Sequence, residues 1–169
     1  MKRGRAGASG GDYKITIRAA RLSDLDRALE MEREGFAFYP LGRRQLRYHL
    51  NNSNAVFLVA EFGGEVVGDA IALVRRHASG VSGRVYSLVV DGAHRRMGIG
   101  GKLFAATVAE LQKRRASPIY LEVAEKNRRA IRIYERFGFR TTGTLPDYYA
   151  RGVHAIQMFF EVAGRVKSA

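Results

Sequence analysis

A glycine-containing segment joins a predicted buried strand to a predicted helix. It reads Arg95-Arg96-Met97-Gly98-Ile99-Gly100, and Gly101 and Lys102 follow. Glycines at such a junction let backbone N–H groups point outward together, and the N-terminus of the helix adds partial positive charge. Phosphate oxygens suit these groups, and Arg95, Arg96 and Lys102 add charged donors. Because the third glycine of a dinucleotide fingerprint and the Gly-Lys-Ser/Thr of a P-loop are absent, the segment alone predicts either a phosphate site or a tight turn.

A second group of polar residues lies downstream of this segment. Glu122 interrupts the apolar strand pattern of Ile119, Leu121 and Val123 and points to the opposite face. Asn127 and Tyr134 share one face of the next predicted helix. A carboxylate and a phenol are suitable parts for general acid–base chemistry. Structural explanations remain open for each: an arginine pair for Glu122, a helix cap for Asn127 and a core position for Tyr134.

Hydrophobic periodicity and turn residues predict the elements that position these groups. Strands are predicted near 13–18, 56–62, 65–75, 85–90, 119–124, 139–144 and 153–162. Helices are predicted near 23–33, near 44–50, over about sixteen residues after the glycine segment, and from Asn127 to Phe137. The expected local features are an N-cap at Ser23, a hairpin turn at Gly63-Gly64, a loose loop before 85 and a helix C′ glycine at Gly138.

The element order is therefore β-α-α-β-β-β-α-β-α-β-β. It predicts a single α/β domain (α+β mixed), with a central mixed sheet of about seven strands flanked by about four helices. The unit spanning 85–124 requires a parallel strand pair joined by a crossover helix. Residues 1–12 are expected to be a flexible basic tail, 13–162 the domain and 163–169 a C-terminal tail.

Composition narrows the function classes. The 169-residue chain has no cysteine, and its four histidines are far apart, so we expect neither a thiol nucleophile nor a metal site. It has no apolar run long enough for a membrane span, and we expect a cytoplasmic protein. The formal net charge of +13 should attract phosphates, acidic proteins, nucleic acid or the ribosome. The alternative is that this charge only keeps the protein in solution and indicates no particular partner. Nothing in the sequence predicts the oligomeric state.

Two motifs in order resemble one family. Residues 95–100 resemble the Arg/Gln-x-x-Gly-x-Gly/Ala signature of the GNAT superfamily of N-acetyltransferases. Residues 121–139 resemble the Leu-Glu-Val-x-x-x-Asn-x-x-Ala-Ile-x-x-Tyr-x-x-x-Gly-Phe run of its RimI-type branch, which acetylates protein N-termini. The resemblance covers about residues 13–162. It implies acetyl-CoA as co-substrate, with the pyrophosphate on residues 95–102 and the cofactor also contacting Asn127 and the backbone of Leu88, Val89 and Val90.

The same resemblance implies roles at the reaction centre. Glu122 would act as the base, Tyr134 as the acid, and Tyr148 and Tyr149 would lie near a peptide entrance. The stretch 150–154 lacks the acidic residues that are usual there in this branch. The expected acceptor is the N-terminal α-amino group of a protein, with a ribosomal protein as one candidate. A small-molecule amine and a non-catalytic RNA- or ribosome-binding module are the alternatives.

Overall fold

The computed structural model describes residues 14–161; the predicted tails, Tyr13 and Val162 lie outside the described residues. Its strands are β1 (Thr16–Ala19), β2 (Ala55–Phe62), β3 (Glu65–His77), β4 (Gly80–Val90), β5 (Ile119–Ala124), β6 (Arg140–Ala150) and β7 (Val153–Phe160). Its α-helices are α1 (Leu25–Gly35), α2 (Arg43–Asn51), α3 (Ile99–Lys113) and α4 (Arg128–Arg136). Short 3-10 turns cover Leu22–Asp24 and Gly92–His94.

The seven strands form one mixed sheet in the order β1-β2-β3-β4-β5-β7-β6. Strands β4 and β5 are parallel and joined by α3, whereas the other neighbours are antiparallel. The predicted fold class, element order and crossover unit are therefore confirmed. Gly63 and Gly64 both have positive φ angles, 61° and 85°, and form the predicted hairpin turn.

Helices cover the two faces of the sheet unequally. Helices α3 and α4 bury their apolar faces against one face, around Phe104, Leu111 and Tyr134. Helices α1 and α2 pack on the opposite face around Leu25, Leu46 and Ile71. Their contacts are with β2, β3 and β4, which leaves side chains of β5 on that face accessible. Within residues 14–161, none of the helices has the length and apolar character needed to cross a membrane.

The prediction of a loose loop before residue 85 is wrong. Strand β3 continues to His77, and β4 already begins at Gly80, so the two strands form one long hairpin. The small and polar residues there gave no strong period-two pattern. Gly83 is required by packing, since a Cβ at this position would lie 3.2 Å from side-chain atoms of Leu111 and Ala116.

Helix boundaries follow the prediction except at the beginning of α1. Ser23 does not cap that helix; it lies inside a 3-10 turn, and the carboxylate of Asp24 accepts a hydrogen bond of 2.7 Å from the N–H of Arg21. The caps of α4 are confirmed: Asn127 Oδ1 accepts from the N–H of Ala130 at 3.2 Å, and Gly138 has φ +85°.

Candidate active site

The parallel pair in the middle of the sheet separates into a fork. Strands β4 and β5 are paired only from Gly83 to Val85 and from Ile119 to Leu121. The register of β3 and β4 shifts at Tyr86, where β4 carries one extra residue. Such a bulge bends the strand and increases its twist. We call the opening beyond Val85 and Leu121 the β4–β5 fork.

The backbone of Leu88, Val89 and Val90 forms the β4 side of this fork. These residues pair with β3 on their other edge, opposite Ala70, Asp69 and Gly68. Their edge towards β5 lies beyond the last β4–β5 pair. An extended chain can add to such an edge through main-chain hydrogen bonds. Arg95 also reaches this end of β4, where its Nε donates to the carbonyl oxygen of Val90 at 3.3 Å.

The glycine segment adjoins the open end of the fork. Gly98 has φ +78° and immediately precedes α3, whose N-terminus has no side-chain cap. A Cβ at Gly98 or Gly101 would have no neighbouring atom within 4 Å, whereas one at Gly100 would lie 3.7 Å from the side chain of Val90. The backbone amides of this turn therefore border open space directly beside the β4 edge.

Side chains of the same segment divide into two kinds. Arg95, Arg96 and Lys102 are exposed, and Met97 is 42% exposed. Ile99 is 1% exposed and belongs to the core, so only its backbone could contact a ligand. The arrangement of exposed cations around free helix amides can hold a pyrophosphate group.

Glu122 lies at the base of the fork in an ion pair with Arg84. The Nη2 of Arg84 is 2.8 Å from Glu122 Oε2, and its Nε donates to the same oxygen at 2.9 Å. Nη2 also donates to the hydroxyl of Tyr148 at 3.0 Å. The hydroxyl of Tyr149 lies 3.5 Å from the carbonyl oxygen of Glu122. Arg84 thus joins β4, β5 and β6, and it brings the predicted base together with the predicted substrate tyrosines.

Tyr134 lies on the face of the sheet that α3 and α4 cover. It is 8% exposed, and its ring centroid lies 4.6 Å from that of Phe104. Burial, with a smaller contribution from nearby Tyr149, raises the pKa of the Tyr134 phenol. Burial likewise raises the pKa of Tyr149 to about 12. Both phenols therefore keep their protons at neutral pH. Asn127 is exposed and caps α4.

Buried polar residues near the fork were missed from the sequence. Glu32 is 1% exposed; its carboxylate accepts from Ser87 Oγ at 2.6 Å and from the N–H of Leu41 at 3.0 Å. Asp69 is fully buried, and neither of its carboxylate oxygens has a hydrogen-bond partner among the described residues. Burial raises the pKa of both carboxyls, and the proximity of Glu32 raises that of Asp69 further.

The sequence does contain a sign of Glu32 and Asp69, because each is a carboxylate within an apolar pattern. Glu32 continues the apolar helical row of Leu25, Ala28 and Leu29, and Asp69 interrupts an apolar strand. Arg84 has no comparable signal, because the residues before 85 show no strand pattern. Its partner Glu122 interrupts an apolar strand in the same way as Asp69 does.

Comparison with known proteins gives concordant matches. The family model "Acetyltransferase (GNAT) family" matches residues 21–139. An N-alpha-acetyltransferase of Sulfurisphaera tokodaii is 33% identical over 162 aligned positions, covering 88% of this chain and 93% of that protein. The crystal structure of Ard1 from Thermoplasma volcanium matches with a TM-score of 0.76 at 26% identity, covering 89% of this chain and 99% of that one. The ribosomal-protein-S18-alanine N-acetyltransferase of Escherichia coli has the same fold, with a TM-score of 0.78 at 22% identity, covering 92% and 99%.

Proposed function

The chain belongs to the acetyltransferase (GNAT) family, and we propose that it acetylates the N-terminal α-amino group of a protein. Membership makes it an acetyl-CoA-dependent N-acetyltransferase. The α-amino group as acceptor is supported by the N-alpha-acetyltransferase relatives, which match nearly the full described chain. Work at protein N-termini fits a cytoplasmic location, which is part of the proposal.

The glycine segment and the β4 edge are the proposed acetyl-CoA site. The free amides at the beginning of α3 and the cations Arg95, Arg96 and Lys102 would hold the pyrophosphate. The backbone of Leu88, Val89 and Val90 would hydrogen-bond the pantetheine arm, and Asn127 would contact it from the β5 side. The residues fit this group because the glycines border open space and the strand edge lies beyond its last pair with β5. When bound, acetyl-CoA supplies an acetyl thioester that an amine can attack.

Glu122 is the proposed proton acceptor. An α-amino group has a pKa near 8, so roughly a tenth of it is uncharged at neutral pH, against far less of a lysine amine with a pKa near 10.4. A carboxylate is a weak base and therefore suits an α-amino group better. The ion pair with Arg84 supports a positioning role for that arginine, because it fixes the carboxylate at the base of the fork.

Tyr134 is the proposed proton donor. Its buried phenol remains protonated at neutral pH because its pKa is raised, and a protonated phenol can donate to a leaving thiolate. Its position next to Phe104 fixes the ring. The core interpretation of this tyrosine and the catalytic one are compatible, since packing is what would orient the hydroxyl.

Tyr148 and Tyr149 are the proposed contacts with the acceptor chain. Their rings pack edge to face, with centroids 4.9 Å apart, and Tyr148 is 41% exposed. The adjacent turn contains Arg151 in place of acidic residues, which favours a neutral or acidic residue after the acetylated one. A ribosomal protein is one candidate acceptor within this class.

The proposal is tested with acetyl-CoA and a panel of acceptors read by mass spectrometry. The panel contains peptides with free N-termini, the same peptides with blocked N-termini and an internal lysine, and small amines. We expect acetylation confined to the free α-amino groups. Transfer only to small amines would make the chain a small-molecule acetyltransferase, and complete absence of transfer would favour a non-catalytic binding module.

A further inference from the structure

The face of β4, β5, β7 and β6 that carries Glu122 also carries a row of two aromatic rings with an arginine at each end. Cross-strand pairing places Arg84 opposite Tyr120, Tyr120 opposite Phe159, and Phe159 opposite Arg140. Residues directly opposite in a sheet share a face. We call these four side chains the arginine–aromatic row. With strands about 4.8 Å apart, the row spans about 14 Å.

The rings and guanidinium groups of this row are in contact. The guanidinium carbon of Arg140 lies 5.2 Å from the ring centroid of Phe159, and that of Arg84 lies 5.5 Å from the ring centroid of Tyr86. Tyr120, between the two arginines, is 38% exposed. An open aromatic ring thus lies between two guanidinium groups that each adjoin a neighbouring ring.

Further aromatic and basic groups extend the row onto α2. The ring of His49 lies 5.4 Å from those of both Tyr86 and Tyr48, and Tyr48 is 65% exposed. Arg44 and Arg47 lie beside Tyr48 around an open depression. Glu122, two residues along β5 from Tyr120, is paired with Arg84. The surface is therefore both aromatic and positively charged.

We propose that the arginine–aromatic row is a binding site for single-stranded RNA, next to the acetyl-transfer site and sharing Arg84 with it. Exposed rings on a sheet can stack with unpaired bases, arginine planes can stack as well, and the cations contact phosphates. The chain's net charge of +13 would attract such a polyanion. An acidic peptide could pair with the arginines but has no flat base to stack on Tyr120. The bases of duplex RNA are already stacked on one another and are not free to stack on the ring.

The test is fluorescence anisotropy with a labelled single-stranded uridine 12-mer. We expect salt-sensitive binding by the wild-type protein and an affinity loss of about 5- to 150-fold in Tyr120→Ala, which corresponds to stacking of one base. Tyr120→Phe keeps the ring and should keep most of the affinity. Arg140→Gln should weaken binding, whereas Arg132→Gln, an exposed arginine of α4 near the other face, is the matched control. Single-stranded DNA of equal length should bind more weakly, because it lacks the 2′-hydroxyl that proteins contact in RNA.

Crosslinking locates the site without any substitution. A 4-thiouridine-containing 12-mer, irradiated with the wild-type protein, should label the tryptic peptide 116–126, which contains Tyr120. Equal affinity of Tyr120→Ala and wild type, equally tight binding of duplex RNA or DNA, or adducts confined to other peptides would overturn the proposal. Light scattering that shows dimers disrupted by Arg140→Glu would instead make this face a protein interface. None of these outcomes depends on acetyl transfer.

Discussion

Arg84 and Glu122 are joined across two strands just where those strands begin to separate. The guanidinium group of Arg84 is 2.8 Å from Glu122 Oε2, and the Arg84 side chain is only 31% exposed. Val85 and Leu121 are the last paired residues of β4 and β5; Arg84 lies one residue before them and Glu122 one residue beyond. The position of this ion pair at the base of the fork means that it can hold the fork in shape, orient a catalytic carboxylate, or do both.

A double-substitution experiment separates these roles. Glu122→Gln should lower kcat by about 10²- to 10⁴-fold, the usual contribution of a general base. Arg84→Gln should lower kcat by about 10²-fold, since a misplaced base loses much of its effect. If Arg84 acts through Glu122, the double variant should resemble Glu122→Gln alone.

Steady-state kinetics at saturating acetyl-CoA measures this non-additivity, with Arg76→Gln, an exposed arginine of β3, as the control. Additive losses would mean that the two residues act independently. Wild-type kcat in Arg84→Gln with a lowered melting temperature would reduce the pair to a structural contact.

Tyr134→Phe tests the proposed role of Tyr134 as proton donor. The substitution keeps the ring against Phe104 and removes only the hydroxyl, so we expect the fold and the acetyl-CoA affinity to be nearly unchanged. The value of kcat should fall by about 10²- to 10⁴-fold. Calorimetric titration with acetyl-CoA and turnover on an N-terminal peptide are the two measurements, and Tyr48→Phe, at an exposed site, is the control. Wild-type turnover in Tyr134→Phe would remove the acid role.

The sequence predicted the order of elements because their apolar periods are strong. Helix α3 shows this well: Leu103, Phe104 and Leu111 follow the helical period, and all are buried. The prediction missed the β3–β4 hairpin because the glycines and serines there carry no hydrophobic pattern. Gly83 nevertheless packs closely against Leu111 and Ala116. The local hydrophobic pattern thus predicts elements whose large side chains are buried, and it misses strands made of small residues that pack through their backbone.

The site was predicted in parts but not as an assembly. Glu122 and Tyr148 are expected from the family resemblance and Arg84 is not, and the link from Glu122 through Arg84 to Tyr148 joins three strands that are far apart in sequence. No periodicity encodes such a cross-strand contact. The fork itself depends on one extra residue in β4 at Tyr86, which leaves the strand pattern on either side intact.

Gly98→Ala should damage both stability and acetyl-CoA binding. Gly98 has φ +78°, a conformation that costs an alanine about 1–2 kcal/mol. No atom obstructs the added methyl group, so the effect would come from the backbone, which would relax and turn amides away from the phosphate site. Gly92→Ala, at a glycine that also borders open space but needs no positive φ, is the control. Denaturant unfolding and acetyl-CoA titration should both change for Gly98→Ala only; unchanged affinity would exclude the turn from the cofactor site.

Asp69→Asn should stabilise the protein at neutral pH, and the gain should depend on pH. Burial and the neighbouring Glu32 raise the pKa of the Asp69 carboxyl well above its usual range, so the folded state retains a proton that the unfolded state releases above pH about 3.9. Folding stability contributed by this group is therefore complete at lower pH and is lost as the pH rises towards the folded-state pKa. Asparagine has no such proton to retain.

The variant should accordingly match wild type near pH 4 and exceed it increasingly towards neutral pH, by up to about 1.4 kcal/mol for each pH unit between the unfolded-state and folded-state pKa of Asp69. Urea unfolding across this pH range measures the difference. Asp26→Asn, at an exposed aspartate paired with Arg43, should change little, because surface ion pairs contribute about 0–1 kcal/mol. A destabilised Asp69→Asn at pH 7 would instead mean that the ionised carboxylate is stabilised in the folded protein, by a bound cation or by buried water.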